Sequence, residues 1–234
     1  MTNETPLPPS WQAHNSEITA CRRCPRLVAW REQVALEKRR AYRDWDYWGK
    51  PVPAFGDPGA RLLVIGLAPG AHGSNRTGRM FTGDASGEFL FAALHRAGFA
   101  NQPGGTHRDD GLALKDVLIT AVCRCVPPDN KPTPEEMLAC RPFLLAEMGF
   151  LPHVQGIVCL GRIAFDNLLS IYREQGYPLP ALEFHHAAYY PLGSGLPWLI
   201  TSYHPSRQNT QTGRLTPAMF DAVWSRAREE LGSD

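Results

Sequence analysis

Three groups of residues in this chain have types and spacings that could do chemistry. Six cysteines come first. Cys21 and Cys24 form a C-x2-C pair, and Cys125 and Cys140 flank a proline-rich stretch with fourteen residues between them. Four such thiolates suit zinc or an iron–sulfur cluster, and spacing alone does not separate the two. Cys123 competes with Cys125, because alternation on a strand sends both to the same side. Cys159 lies among Val158 and Leu160 and reads as a small buried apolar residue. Outside a disulfide-rich secreted scaffold, cysteines at these spacings point to metal ligation.

The second group is a glycine-rich loop after the apolar run that starts at Leu62. Gly66, Gly70, Gly73 and Gly78 punctuate it. The span Gly73 to Met80 comes close to the phosphate loop G-x4-G-K-[ST], but Arg79 stands at the lysine position and Met80 at the magnesium-holding hydroxyl. The parts that act on a nucleotide triphosphate are therefore missing, and no G-x-G-x-x-G fingerprint occurs. The third group is His204 with the polar run behind it: Ser206, Arg207, Gln208, Asn209 and Gln211. These side-chain types contact phosphates and base edges.

The elements that must position these groups follow from periodicity. Apolar runs at 62–67, 116–124, 155–161 and 198–203 predict four strands, and 3.6-residue patterns between them predict helices. Asp84 or Ser86 caps a helix to about Ala97; Thr133-Pro134 and Thr216-Pro217 open two more. Residues 14 to about 42 predict a helix interrupted near Cys24 and Pro25. The expected architecture is α/β, a three-layer α/β/α sandwich on a mainly parallel four-stranded sheet. Residues 1–13 are expected to be a loose tail and 14–234 a single domain. Open sheets of this kind bind ligands at the carboxyl ends of their strands, which is where the glycine loop and His204 fall.

The net charge of +1 gives no global nucleic-acid signature. Locally, eight Lys/Arg against two Glu between Arg22 and Arg43 fit either a solvated helix face or a phosphate-facing surface. No apolar run approaches a membrane span, so a soluble cytoplasmic protein is expected.

Taken together, the glycine loop from Gly66 to Gly87, the four cysteines and the His204–Gly213 run resemble the uracil-DNA glycosylase superfamily, most of all its iron–sulfur family 5, or type B, branch. The resemblance runs from Cys21 to about Gly213. It implies a structural [4Fe–4S] cluster on Cys21, Cys24, Cys125 and Cys140, with Cys125 preferred because Arg124 precedes it and the Pro127–Pro128 loop follows. It implies excision of uracil, and of other deaminated bases such as hypoxanthine, by hydrolysis of the N-glycosidic bond. Other branches keep a first-motif carboxylate where this chain has Leu67, and family 4 keeps a uracil-reading Asn where it has Ala121. Both absences are features of family 5.

On that resemblance Phe81 stacks on a flipped base, and His204 donates a hydrogen bond to it. Asp84 positions water, stabilises the sugar cation, or only caps a helix. Asn130 reads the base or holds water. Gly66, Ala68, Gly70 and Ala71 supply a backbone wall, and Ser206, Arg207, Gln208, Asn209 and Gln211 contact DNA. The expected partner is double-stranded, or also single-stranded, DNA containing deaminated bases, bound by a nucleoid-associated monomer; a sliding-clamp contact is left open. The rival reading is a non-catalytic zinc module that binds nucleic acid.

Overall fold

A computed structural model describes residues 10–193 and 195–232. Its strands are β1 (Phe55–Gly56), β2 (Leu62–Gly66), β3 (Val117–Ala121), β4 (Gly156–Leu160), β5 (Tyr189–Tyr190) and β6 (Trp198–Ser202). They form one sheet in the order β1-β3-β2-β4-β6-β5. The four expected strands are the central, parallel ones. The sheet has six strands rather than four, because β1 and β5 add antiparallel edges. Each edge is two residues long, too short to show alternation.

The helices are α1 (Trp11–Ala20), α2 (Pro25–Glu37), α3 (Ser74–Thr77), α4 (Ala85–Arg96), α5 (Pro134–Phe150), α6 (Arg162–Glu174), α7 (Arg207–Gln211) and α8 (Pro217–Leu231). The expected break near Cys24 is the gap between α1 and α2. The tail expected over 1–13 already turns into α1 at Trp11, capped by the Ser10 hydroxyl, and His14 is buried. The rest of that expected tail, residues 1–9, lies outside the described residues. Local chemistry sets the other starts as read from sequence. Thr133 and Glu136 form a capping box on α5, Thr216 caps α8, and of the two candidates for α4 it is Asp84 that caps.

The central strands are buried on both faces, and their alternation sorts side chains into two layers. Leu62 and Val64 join Val117, Ile119, Val158 and Ile200 against Leu90, Phe91 and Leu94 of α4 and Phe220 and Trp224 of α8. Leu63 and Ile65 join Leu118, Ile157 and Leu199 against Leu144 of α5 and Phe165, Leu168 and Tyr172 of α6. This is the three-layer sandwich. Burial on both faces explains why these strands read as continuous apolar runs. All four central strands point their carboxyl ends the same way, so the loops after Gly66, Ala121, Leu160 and Ser202 share one rim. Among the described residues no helix is long and apolar enough to cross a membrane.

Candidate active site

A cavity of about 350 Å3 opens on that rim. Its walls include Leu67, Ala68 and Gly70 after β2, Ala121, Asp129 and Asn130 after β3, Phe81 and Asp84 before α4, and His204, Ser206 and Gln208 after β6. The expected catalytic residues thus converge from loops as much as 120 residues apart. Gly66 falls outside the lining and packs against the Phe81 ring, from which a Cβ there would lie 3.0 Å. Ala71 falls outside the lining.

Phe81, Asp129 and Asn130 all have positive φ, at 51°, 53° and 57°. For Phe81 this is a strained conformation for a bulky residue, of the kind that persists where surrounding structure imposes it and that collects at functional sites. The Phe81 ring stacks on His204 with centroids 5.7 Å apart and planes at 28°. His204 follows the end of β6, and Asn209 Nδ2 donates to its carbonyl at 2.9 Å. Desolvation lowers the His204 pKa to about 4, so the ring is neutral at physiological pH. A neutral imidazole carries one N–H and can aim it at an oxygen without bringing a full charge.

Asp84 divides its two oxygens between two tasks. Oδ1 accepts the Gly87 amide at 3.1 Å and so caps α4. Oδ2 lies against the glycine loop, where a Cβ on Gly73 would come within 2.0 Å of it. Glycine at 73 is what lets the carboxylate reach this place. Burial raises the Asp84 pKa, and amide hydrogen bonds from Gly87 and Ser86 only partly offset it.

The near-miss at the phosphate loop has a structural explanation. Arg79 is buried and turned away from any ligand. It donates to Thr82 Oγ1 at 2.8 Å, the Arg108 carbonyl at 3.0 Å and Asp110 Oδ2 at 2.8 Å. It anchors the 100–113 loop.

The polar run after His204 is not one loop. Ser206 caps α7, with its hydroxyl accepting the Asn209 amide. Ser206 and Gln208 face the cavity, Arg207 and Gln211 are exposed, and Asn209 bonds inward to His204. The basic run also divides. Arg22 pairs with Glu32, Arg26 pairs with Glu136, Arg31 is buried, Arg23 lies over the Phe143 ring and Lys38 is half-buried, which leaves Arg39, Arg40 and Arg43 exposed.

Cys21, Cys24, Cys125 and Cys140 come from the end of α1, the start of α2, the loop after β3 and α5. Burial raises the Cys24 thiol, with charge on Cys140, Glu136 and Cys21 adding to it. Burial also raises Cys125, to about 12. Two donors point at the sulfurs: Arg31 Nη1 at 3.0 Å from Cys125 Sγ, and the Arg124 amide at 3.2 Å from Cys140 Sγ. Cys123 is fully buried and hydrogen-bonded to Cys140, which, with desolvation, holds its thiol protonated. Among the described residues no three His, Cys, Asp or Glu side chains are arranged to hold a single metal ion. Sequence reasoning missed Arg31, although it follows Cys24 by seven residues, two helical turns along the same face. It also missed Ser74, Met80 and Asp129 in the cavity wall.

A larger hollow of about 710 Å3 lies between α2 and residues 47–50. Its carboxylate, Glu32, is already paired with Arg22, and none of the converging groups above faces it.

A family model described as the uracil DNA glycosylase superfamily matches residues 53–228, which spans the whole rim. The chain belongs to the uracil-DNA glycosylase superfamily. Within it, a type-5 uracil-DNA glycosylase of Thermus thermophilus is 54% identical over 221 residues, covering 94% of this chain and 98% of the relative. One of Mycobacterium bovis is 51% identical over 219 residues, covering 93% and 81%. One of Pyrobaculum aerophilum is 42% identical over 217 residues, covering 93% and 92%. For a superfamily member, the apolar Leu67 and Ala121 in the cavity wall mean that neither the first-motif position nor the end of β3 supplies a polar group.

Proposed function

We propose that this chain excises uracil from DNA by hydrolysing its N-glycosidic bond, leaving an abasic site. The observation that carries the reading is the convergence of Phe81, Asp84, Asn130 and His204 on one cavity at the sheet's carboxyl rim. The similarity to type-5 relatives over nearly the whole chain supports it.

Chemistry on a base inside a duplex requires the nucleotide to be flipped out of the stack. The cavity takes the base against the Phe81 ring. The neutral His204 N–H then meets negative charge developing on a base oxygen as the glycosidic bond stretches. A donor already aimed at that charge lowers the barrier without reorganising. On the sugar side the transition state is cation-like. The Asp84 carboxylate, held by the α4 cap, supplies a fixed negative charge there and a place for water to wait. With no carboxylate at Leu67, bond cleavage leads and water adds to the cation. Asn130 presents an amide from a backbone held in a left-handed turn, able to reach either the base edge or that water. The Arg207 and Gln211 side chains, exposed beside the cavity mouth, contact the duplex.

The pocket also admits hypoxanthine and related deaminated bases. Ala121 offers a methyl where a strict uracil site needs an amide, so the wall has little with which to reject a purine.

Cys21, Cys24, Cys125 and Cys140 hold a [4Fe–4S] cluster. The fit rests on the four thiols lying near enough to feel one another's charge, and on two N–H donors, one aimed at Cys125 and one at Cys140. Through these four residues a bound cluster would tie together the end of α1, the start of α2, α5 and the loop after β3, and its contribution would be structural.

Purified protein incubated with uracil- and hypoxanthine-containing single- and double-stranded oligonucleotides should leave alkali-labile sites at the lesion. Absence of any such site on every substrate would sink the enzymatic reading. A brown protein with iron and sulfide in equal amounts supports the cluster, and a colourless zinc protein would replace it.

A further inference from the structure

We propose that Asn75 is a positioning residue that fastens the base-pocket loop to the cysteine site; the inference rests on the reading that those cysteines hold a cluster. Arg31 is the first link. It is 2% exposed, and its Nη1 donates to Cys125 Sγ at 3.0 Å and to the Cys21 carbonyl at 3.2 Å. Its main-chain carbonyl lies inside α2 and has a second lone pair beyond the helical bond. Asn75 Nδ2 donates to that carbonyl at 3.2 Å. Asn75 is fully buried, and its own amide donates to the Gly70 carbonyl at 3.0 Å. Gly70 and Ser74 are walls of the cavity.

A continuous path therefore runs from a cysteine sulfur, through one guanidinium and one side-chain amide, to the backbone of the pocket. The loop requires such an anchor. α3 is a single turn of four residues, far below the length at which a helix holds itself together. The Asn75 carbonyl also accepts the Gly49 amide at 3.0 Å, and the Arg76 carbonyl accepts the Trp48 amide at 2.9 Å, so this turn ties in residues 48–49. Whatever fixes Cys21 and Cys125 fixes Arg31 and α2, and through Asn75 it fixes the wall against which the base is placed. A group held by the cysteines would then bear on the base pocket only structurally, through Arg31 and Asn75, which keep Gly70 to Gly78 in one arrangement.

Hydrogen exchange read by mass spectrometry tests this on the protein as purified, on the same protein stripped of iron by a chelator, and on Asn75→Leu, which keeps the side-chain shape and loses the donor. Stripping should speed exchange of residues 70–78 about tenfold, the effect of losing one buried hydrogen bond, while β4 at Gly156–Leu160 stays protected. Asn75→Leu should give the same local acceleration with its visible absorption intact, and stripping that variant should add little. Wild-type exchange of 70–78 in coloured Asn75→Leu overturns the proposal alone. So does a stripped protein in which β4 opens as much as the loop; this arm decides the matter if the variant does not fold. A purified protein without iron overturns the cluster reading and the proposal with it.

Discussion

Phe81 and His204 stack 5.7 Å apart in the wall of the cavity, one from the loop before α4 and the other from just after β6. Each holds the other's orientation. The histidine becomes a directed donor because the phenylalanine fixes its plane, and the phenylalanine tolerates a φ of 51° because the histidine and Gly66 box it in. The contact also helps to desolvate the imidazole.

His204→Ala should lower uracil release by about 100-fold or more while leaving the fold and the colour intact. Single-turnover rates on a uracil duplex, with the visible spectrum as control, check this.

Acid should act on stability through the same residue. The folded pKa of about 4 lies below the ordinary 6.5. Between those values the unfolded chain binds a proton that the folded chain refuses. His204 therefore makes stability fall as pH drops from 6.5 to 4, by up to ~3 kcal/mol, and then level off. Thermal melts across this range should show a flatter dependence for His204→Gln than for the unaltered chain.

Asp84→Asn should separate the cap from the charge. Asn caps helices as well as Asp does, so α4 keeps its start. The folded pKa of Asp84 is raised by burial, so ionisation favours unfolding, and its stability contribution falls as pH rises through the raised value. Asn does not ionise. A higher melting temperature at pH 7 is expected, by up to ~1 kcal/mol equivalent, together with a 10- to 100-fold lower kcat. A variant as active as the parent would reduce Asp84 to a cap.

Gly73→Ala should imitate that loss from the opposite side. Its Cβ would meet Asp84 Oδ2 at 2.0 Å, so the carboxylate must leave its place. Release should fall at least about tenfold, and in an Asp84→Asn background the further loss should be small, because the two changes act on one contact.

Arg79→Met should cost stability without touching chemistry directly. Asp110 is left with its burial and without Arg79, the partner whose hydrogen bond, with amides of His107, Leu112 and Thr106, holds its carboxyl well below the usual range. Breaking such a half-buried pair costs about 2–3 kcal/mol. Because the folded pKa is depressed, the contribution is present above the ordinary 3.8 and vanishes as pH falls through the folded value. Denaturant melts of Arg79→Met and Asp110→Asn at pH 7 and pH 3 check both the size and the sign.

Chain order and local chemistry by themselves determined the four central strands, the helix starts at Thr133 and Thr216, the presence of a C-x2-C half-site, and an α4 start at either Asp84 or Ser86, between which the structure chose Asp84. Each of these depends on neighbours a few residues away, whether alternation, a capping oxygen or a proline at the first helical position. The failed phosphate loop was legible too, since Arg79 and Met80 lack the required atoms whatever the fold. Tertiary structure alone decided the rest. The edge strands β1 and β5 exist because β3 and β6 offer unpaired backbone, not because their own residues demand it. Cys123 and Cys125 share a parity along the chain, and only packing shows that one bonds Cys140 while the other receives Arg31. Arg79, Arg31 and Asn75 read alike as polar residues on loops and helices; burial turns the first into an anchor, the second into a sulfur donor and the third into a strut. Where a side chain's partner lies dozens of residues away, its role is set by which surfaces the sheet brings together, and that is information no local pattern carries.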